Sequence, residues 1–308
     1  MIHYLTAAAR FAPMRLFLED WAPALRRRVR ILAYEELPAP AALPDGVYVF
    51  ADVDRIGPEA TAAGAALWEA LAARGPRVRL LNRPGVSLGR DELLRALHAR
   101  GWNRFSARRL AEPQAGLRFP VFGRDEREHH GALTPLLPDA GALDAALAAL
   151  RAAGRRGAAL LLVEFLDTRG PDGLYRKYAA TIAGERILAH HVMFGREWEV
   201  KAPSLAEPAL LAENRAFQLE SPHEAQLREL FALARIEWGR VDYAVLDGAL
   251  QVWEINTNPT LLSAPRRYGE ALLPAKRWFA RELTAALVDL DESVAPRRGR
   301  LRRWLRRA

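Results

Sequence analysis

Gly239-Arg240-Val241-Asp242-Tyr243-Ala244-Val245-Leu246-Asp247-Gly248-Ala249-Leu250-Gln251-Val252-Trp253-Glu254-Ile255-Asn256-Thr257-Asn258-Pro259 is the stretch on which the reading of this chain turns. It reads as two strands about a turn at Asp247-Gly248. Loop length decides which side chains share a face. A two-residue loop pairs Asp242 with Trp253 and puts the acid on the face opposite Glu254. A three-residue loop, Leu246-Asp247-Gly248 as a type I turn with Gly248 left-handed, pairs Asp242 with Val252 instead. Side chains alternate with period two, so Asp242, Glu254 and Asn256 then share one face. The other face becomes Val241, Tyr243, Val245, Trp253 and Ile255, which is apolar throughout. Only the longer loop sorts both faces, so the sequence predicts the longer loop.

Two carboxylates and an amide oxygen on one polar face form a hard-oxygen site suited to Mg²⁺. That ion keeps several waters and sits between one or two carboxylates and nucleotide phosphates. The same pattern also fits an ordinary half-buried hairpin whose polar residues face water.

Arg240-Val241-Asp242 followed by Glu254-Ile255-Asn256-Thr257-Asn258-Pro259 resembles the metal-binding signature of the ATP-grasp superfamily. There an Asp on one strand and a Glu-x-Asn pair on the next hold the magnesium ions of Mg-ATP. The order of the remaining elements extends the resemblance over roughly residues 30–262. It implies an α/β (α+β) ATP-grasp fold with a small N-terminal parallel-sheet domain, a small central domain and a C-terminal antiparallel-sheet domain. The expected divisions are residues 1–112, 113–166 and 167–296, with a basic tail at 297–308.

Composition narrows the class. The chain of 308 residues has no cysteine, which excludes disulfides, thiolate metal sites and a cysteine nucleophile. No apolar run is long enough to span a bilayer, and the first residues lack the regions of a signal peptide. A cytoplasmic enzyme is therefore expected. The net charge of +8 invites a nucleic-acid partner, but seven arginines and no acid fall in residues 297–308, so the body is nearly neutral and no such partner is expected. In that tail Leu301, Trp304 and Leu305 fall at i, i+3 and i+4, the face of a short basic amphipathic helix. Such a segment suits weak peripheral contact with an anionic membrane, and equally a solubilising tail or docking on the protein's own acidic surface. Only three of the 45 basic residues are lysine: Lys177, Lys201 and Lys276. In so arginine-rich a chain a lysine carries slightly more information than an arginine.

Residues 1–28, broken by Pro13 and Pro23, predict one or two helices on the first domain. Strands at 29–34, 47–52 and 78–82 alternate with helices at 59–73 and 91–99, the pattern of a small parallel sheet covered by helices. Asp52, Asp54, Asn82 and Arg83 sit at strand ends, where open sheets bind ligands and where turn capping uses the same residue types. A short strand at 119–124 precedes the polar loop 125–134, and a helix at 142–153 leads into a buried strand at 160–166. A hairpin at 172–192, extended by Trp198-Glu199-Val200-Lys201, predicts an antiparallel sheet. Lys177 and Lys201 fall within it and read as phosphate or substrate ligands, or as a solvated sheet edge. Ser221-Pro222-His223-Glu224 reads as a capping box that starts a helix running to about Arg235. A last helix is expected over about 274–290.

The resemblance assigns further roles. Arg124 takes the place of the usual lysine that contacts nucleotide phosphates, and the loop with His129, His130 and Gly131 would cover them. Glu164, Phe165 and Leu166 would form the adenine hinge, with Asp167 near the ribose. Asp242, Glu254 and Asn256 would hold magnesium, and Arg240 would reach the γ-phosphate or a tetrahedral intermediate. Arg124, Lys177 and Lys201 would neutralise the triphosphate. The implied activity is an ATP- and Mg²⁺-dependent ligation of a small-molecule or peptide-like carboxylate to an amine through an acylphosphate. An ATP-grasp-type kinase needs the same metal site, and so does a nucleotide-binding protein without turnover.

Overall fold

The computed structural model describes residues 1–114, 116–129, 131–155, 159–201 and 205–294. His130 and the basic tail at 297–308, with its expected membrane contact, lie outside the described residues. Among the described residues no helix is long and apolar enough to cross a membrane.

Strands β1 (Ile2–Thr6), β2 (Val29–Ala33), β3 (Val47–Phe50) and β4 (Arg79–Leu81) form a parallel sheet in the order β2-β1-β3-β4. Both faces are covered, as parallel sheets require. Ile2, Tyr4, Val47 and Val49 pack on helices α1 (Ala12–Asp20) and α7 (Leu273–Glu292). Leu5, Leu32, Tyr48 and Phe50 pack on α2 (Pro58–Ala72) from the other side. The expectation of helices alone in residues 1–28 is corrected here, since they hold β1, an inner strand of the sheet, as well as α1. A five-residue run buried on both faces has no alternation to betray it.

After α3 (Arg90–Ala99) a small antiparallel sheet runs β5-β7-β6, from β5 (Ala107–Arg109), β6 (Val121–Asp125) and β7 (Leu160–Glu164). Residues 107–109 thus join the central sheet ahead of the boundary expected at 112. Helix α4 (Ala140–Ala152), capped by the Asp139 carboxylate on the Ala142 amide at 2.8 Å, covers one face through Leu143 and Leu147. The other face, with Phe122, Leu161 and Val163, meets Leu94 of α3 and Trp253.

The C-terminal sheet is antiparallel in the order β11-β10-β8-β9, from β8 (Tyr175–Ala183), β9 (Arg186–Gly195), β10 (Trp238–Leu246) and β11 (Ala249–Asn256). Val241, Tyr243, Val252 and Ile255 face the helices α5 (Pro208–Glu220) and α6 (Glu224–Ala234). The predicted capping box does not form. Ser221 is left-handed at φ 45° and closes α5, a helix the sequence reading missed, and its buried hydroxyl makes no hydrogen bond among the described residues. Ser-Pro reads as a stop as readily as a start. Trp198–Lys201 is likewise not a strand but a bent segment following β9.

Candidate active site

The β10–β11 hairpin turns on two residues, not three. Asp247 (φ 50°) and Gly248 (φ 77°) both have positive φ, and Leu246 pairs with Ala249. The ladder stays regular to Tyr243↔Val252, then shifts by one, so Asp242 pairs with Glu254 and Arg240 with Asn256. Trp253 is the extra residue of a β-bulge. The predicted pairing of Asp242 with Val252 is therefore wrong, and so is the placing of Trp253 in the core beside Ile255. The shared face of Asp242, Glu254 and Asn256 arises from the bulge. Trp253 is turned onto that same side, where it meets Phe105 at 5.3 Å between ring centroids.

This face floors a cavity of about 680 Å³ between the C-terminal sheet, the central sheet and the N-terminal domain. Arg124, His129, Gly131, Lys177, Lys201 and Arg240 line it together with the two acids and Asn256. One end is aromatic, with Phe122, Tyr175, Trp198 and Trp253. A recess of about 20 Å³ continues that end to Glu164, Phe165 and Leu166.

Glu254 is the electrostatic centre. Its Oε2 accepts from Arg90, from Arg124 Nη2 at 2.5 Å and from His129 Nδ1 at 3.2 Å. Burial alone would raise its pKa, but Arg124, the hydrogen bond from His129 and Arg90 hold the carboxyl well below the usual carboxylate range. Arg90 reaches in from the start of α3. Its Nη1 donates to the carbonyls of Asp125 (2.6 Å), Glu126 (3.0 Å) and Glu128 (2.8 Å), which fixes the backbone of the cover loop. Burial and the nearby Arg124 charge bring Arg90 down to about 10, so it stays a cation at neutral pH.

His129 joins this cluster to the N-terminal domain, with Nε2 2.8 Å from Asp54 Oδ2. Asp54 in turn accepts from the amide and hydroxyl of Thr257. Burial alone would lower the His129 pKa, yet its hydrogen bonds to Asp54 and Glu254 raise it. Protonated, the ring donates to both acids. Neutral, it can accept at Nδ1 from Arg90 Nη2, which lies 2.8 Å away.

The other expected residues fall as follows. Arg240 Nε donates to Asp242 Oδ1 at 2.9 Å, and Lys177 Nζ lies 3.8 Å from Asp242 Oδ2. Lys201 pairs with Glu199 at 2.9 Å, and the Ala132 amide donates to the same carboxylate at 2.8 Å, so the cover loop leans on this segment. Gly131 has φ 93°, a conformation that side chains rarely adopt, and a Cβ there would also displace the Glu199 carboxylate. The Phe165 amide is taken by the Pro120 carbonyl at 2.9 Å, whereas the Leu166 amide makes no hydrogen bond among the described residues.

Two expected roles meet a different geometry. Glu164 accepts from the amides of Ser106 and Arg118, each at 3.0 Å, and from the Arg118 guanidinium at 2.7 Å. Its carboxylate pins β7 to the segments either side of it, and has little capacity left for a base. Asp167 pairs with Arg169 at the surface and lines neither cavity.

Of the strand-end residues, Asp52 and Asn82 are buried links and Arg83 is exposed, pairing with Glu69 at 2.5 Å. Asn82 bonds the backbone of Glu237 and Trp238, and Asp52 accepts from Asn258 Nδ2 at 3.0 Å. Asn258 also accepts from the Tyr4 hydroxyl at 2.9 Å, tying the end of β11 to the first sheet. Arg90 was not singled out by sequence, and Thr257 and Asn258 entered only as part of the signature, with no role of their own. For Arg90 no signal existed, because one arginine at a helix start looks like any other in this chain.

The fold family implies magnesium, and the donor set can be tested against it. Among the described residues no group of three or more His, Cys, Asp or Glu side chains is arranged to hold a metal ion, so a cation here relies on two carboxylates and an amide. Directly opposed Asp242 and Glu254, with Asn256 beside them, are hard oxygen donors. Glu254 Oε1 accepts no hydrogen bond among the described residues, and Asn256 Oδ1, which accepts from the Asn258 amide at 2.9 Å, keeps a second lone pair for a cation that also carries waters and phosphate oxygens. The donors fit.

The chain has the ATP-grasp fold. Among solved structures it is similar to D-alanine–D-alanine ligase from Bacillus anthracis in complex with ATP, at 14% identity and a TM-score of 0.53, covering 95% of this chain and 96% of the other. D-alanine–D-alanine ligase from Coxiella burnetii gives 12% identity and a TM-score of 0.53 over 99% and 98% of the two chains. No protein-family model and no curated protein matches the chain by sequence. At such identities the likeness defines the fold, and activity has to be argued from the site.

Proposed function

We propose that the protein is an ATP- and Mg²⁺-dependent ligase that activates a carboxylate as an acylphosphate and transfers the acyl group to an amine. The observation that carries this reading is the direct opposition of Asp242 and Glu254, with Asn256, on the floor of a cavity ringed by cations and ending in aromatic rings. The base belongs at the aromatic end, near the Leu166 amide. Arg124, Lys177 and Lys201 would neutralise the triphosphate, and the loop fixed by Arg90 would close over it.

Asp242, Glu254 and Asn256 would hold magnesium, which supplies charge neutralisation to the transferring phosphoryl group. A carboxylate oxygen of the acid attacks the γ-phosphorus and ADP leaves. The amine then attacks the acyl carbon, phosphate leaves, and the nitrogen gives up its proton. Arg240, fixed by Asp242 and by the Thr260 carbonyl at 3.0 Å, is placed to offset charge on the oxyanion between these steps.

Incubation with Mg-ATP, candidate acids and hydroxylamine tests the reading, because hydroxylamine captures an acylphosphate as a hydroxamate. Hydroxamate formation matched by ADP release is expected. ADP release with a stable phosphorylated product would indicate a kinase, and no nucleotide turnover with any acid would remove the ligase assignment.

A further inference from the structure

We propose that the acid activated here is a short dicarboxylate, with one carboxylate presented to ATP and the second held between Arg10 and Arg240. This inference rests on the ligase reading above and names its substrate class.

Direction along β11 orders the cavity. Trp253 marks the aromatic end, Glu254 and Asn256 follow, and Asn258 and Thr260 come last, beside the N-terminal domain. The backbone there draws two guanidinium-bearing residues together. Asn258 Nδ2 donates to the Arg10 carbonyl at 3.0 Å, and Arg240 Nη1 donates to the Thr260 carbonyl at 3.0 Å. Both arginines line the cavity, held by Asn258 and Thr260, the residues that follow Glu254 and Asn256 along the chain.

Neither arginine is fully matched. Among the described residues the ion partner of Arg10 is Glu128, at 3.9 Å, too long for a good hydrogen bond. Arg240 commits Nε to Asp242 and Nη1 to a carbonyl, while its Nη2 makes no hydrogen bond among the described residues. Arg55 also lines the cavity, but its Nη2 pairs with Asp52 at 2.7 Å and its buried Nε lies 4.0 Å from Asp54 Oδ2, so its charge is met within the protein.

On the ligase reading Arg124, Lys177 and Lys201 serve the phosphates and Arg240 offsets the oxyanion, so the Arg10 charge and the uncommitted Arg240 Nη2 are a surplus on the acceptor side. Guanidinium forks match carboxylates in geometry as well as charge. The adjoining wall is Ala9, Ala12 and Pro13, which offers no large apolar surface and suits a short carbon chain.

Calorimetric titration tests this on the full chain, presaturated with magnesium and a non-hydrolysable ATP analogue. The probes are succinate, malate, aspartate and glutamate against butyrate, lactate and alanine. Dicarboxylates should bind at least tenfold more tightly than the monocarboxylates. Arg10→Gln should weaken dicarboxylate binding by about tenfold to hundredfold, with analogue affinity retained. Arg10→Lys, which keeps the charge, should recover part of the loss. Equal binding of the two acid classes, or dicarboxylate binding untouched by Arg10→Gln, overturns the proposal while analogue binding leaves the nucleotide reading standing. Failure of the analogue itself to bind removes both.

Discussion

Glu254 faces Asp242 directly across the β10–β11 ladder because Trp253, one residue earlier, is pushed out of register. A single bulge therefore performs two tasks. It brings two acids and Asn256 to one face, and it adds an indole to the same side, where a regular strand would have sent Trp253 and Glu254 to opposite faces. Glu254 is also tied to the other domains through Arg90, Arg124 and His129, while Asp242 pairs within its own sheet with Lys177 and Arg240.

Glu254 is thus first a counter-ion, whatever it holds in the proposed reaction. Removing it leaves Arg90 and Arg124 buried without their shared carboxylate. A cluster of bare acids would relax on losing one member; this arrangement has the opposite sign. Glu254→Ala is expected to lose nucleotide turnover and to destabilise the fold by about 3–5 kcal/mol. Urea denaturation of the purified variant measures the second effect, and unchanged or greater stability would contradict the network.

Much of this was legible in the sequence, for reasons that also mark where legibility ends. Strand–helix alternation in residues 29–99 exposed the parallel sheet, and the Asp and Glu-x-Asn spacing exposed the acids. The mechanism of their meeting was hidden, because a period-two pattern cannot say whether an odd residue sits in the turn or in a bulge. A three-residue turn and a two-residue turn plus bulge give Glu254 the same face; they differ at Trp253. Arg90 was invisible because its partners lie 35 to 164 positions away. Glu164 shows the converse error, an acid at the right place on the chain whose carboxylate turns to Arg118 and Ser106.

His3 gives the stability a pH dependence that can be isolated. It is fully buried in β1, stacked on Tyr48 at 4.5 Å, and neither ring nitrogen has a hydrogen-bond partner among the described residues. Burial, with the positive N-terminus and Arg30 adding to it, lowers its pKa to about 4. Between pH 6.5 and 4 the unfolded chain binds this proton and the folded chain does not, so stability falls as pH drops through that window. The full effect is about 3 kcal/mol by the lower end. His3→Phe should remove this share of the slope. Equal pH dependence of chemical denaturation in the two proteins would show that the imidazole is hydrated.

Glu164 offers the sharpest test of how the nucleotide end is built. If its carboxylate served the base, truncation would weaken Mg-ATP binding and leave the fold alone. The geometry requires the reverse. Both oxygens are spent on Ser106, on the Arg118 amide and on the Arg118 guanidinium, and these bonds hold the segments flanking β7. Glu164→Ala is expected to cost about 2–3 kcal/mol of stability, the scale of a charge-assisted hydrogen bond with its buried donors left unmet. Mg-ATP affinity, measured by calorimetric titration below the lowered melting point, should be unchanged, because on the proposed reading the donor to the base is the Leu166 amide. A tenfold loss of affinity at unchanged stability would return Glu164 to the base-binding set and turn its carboxylate toward the aromatic recess.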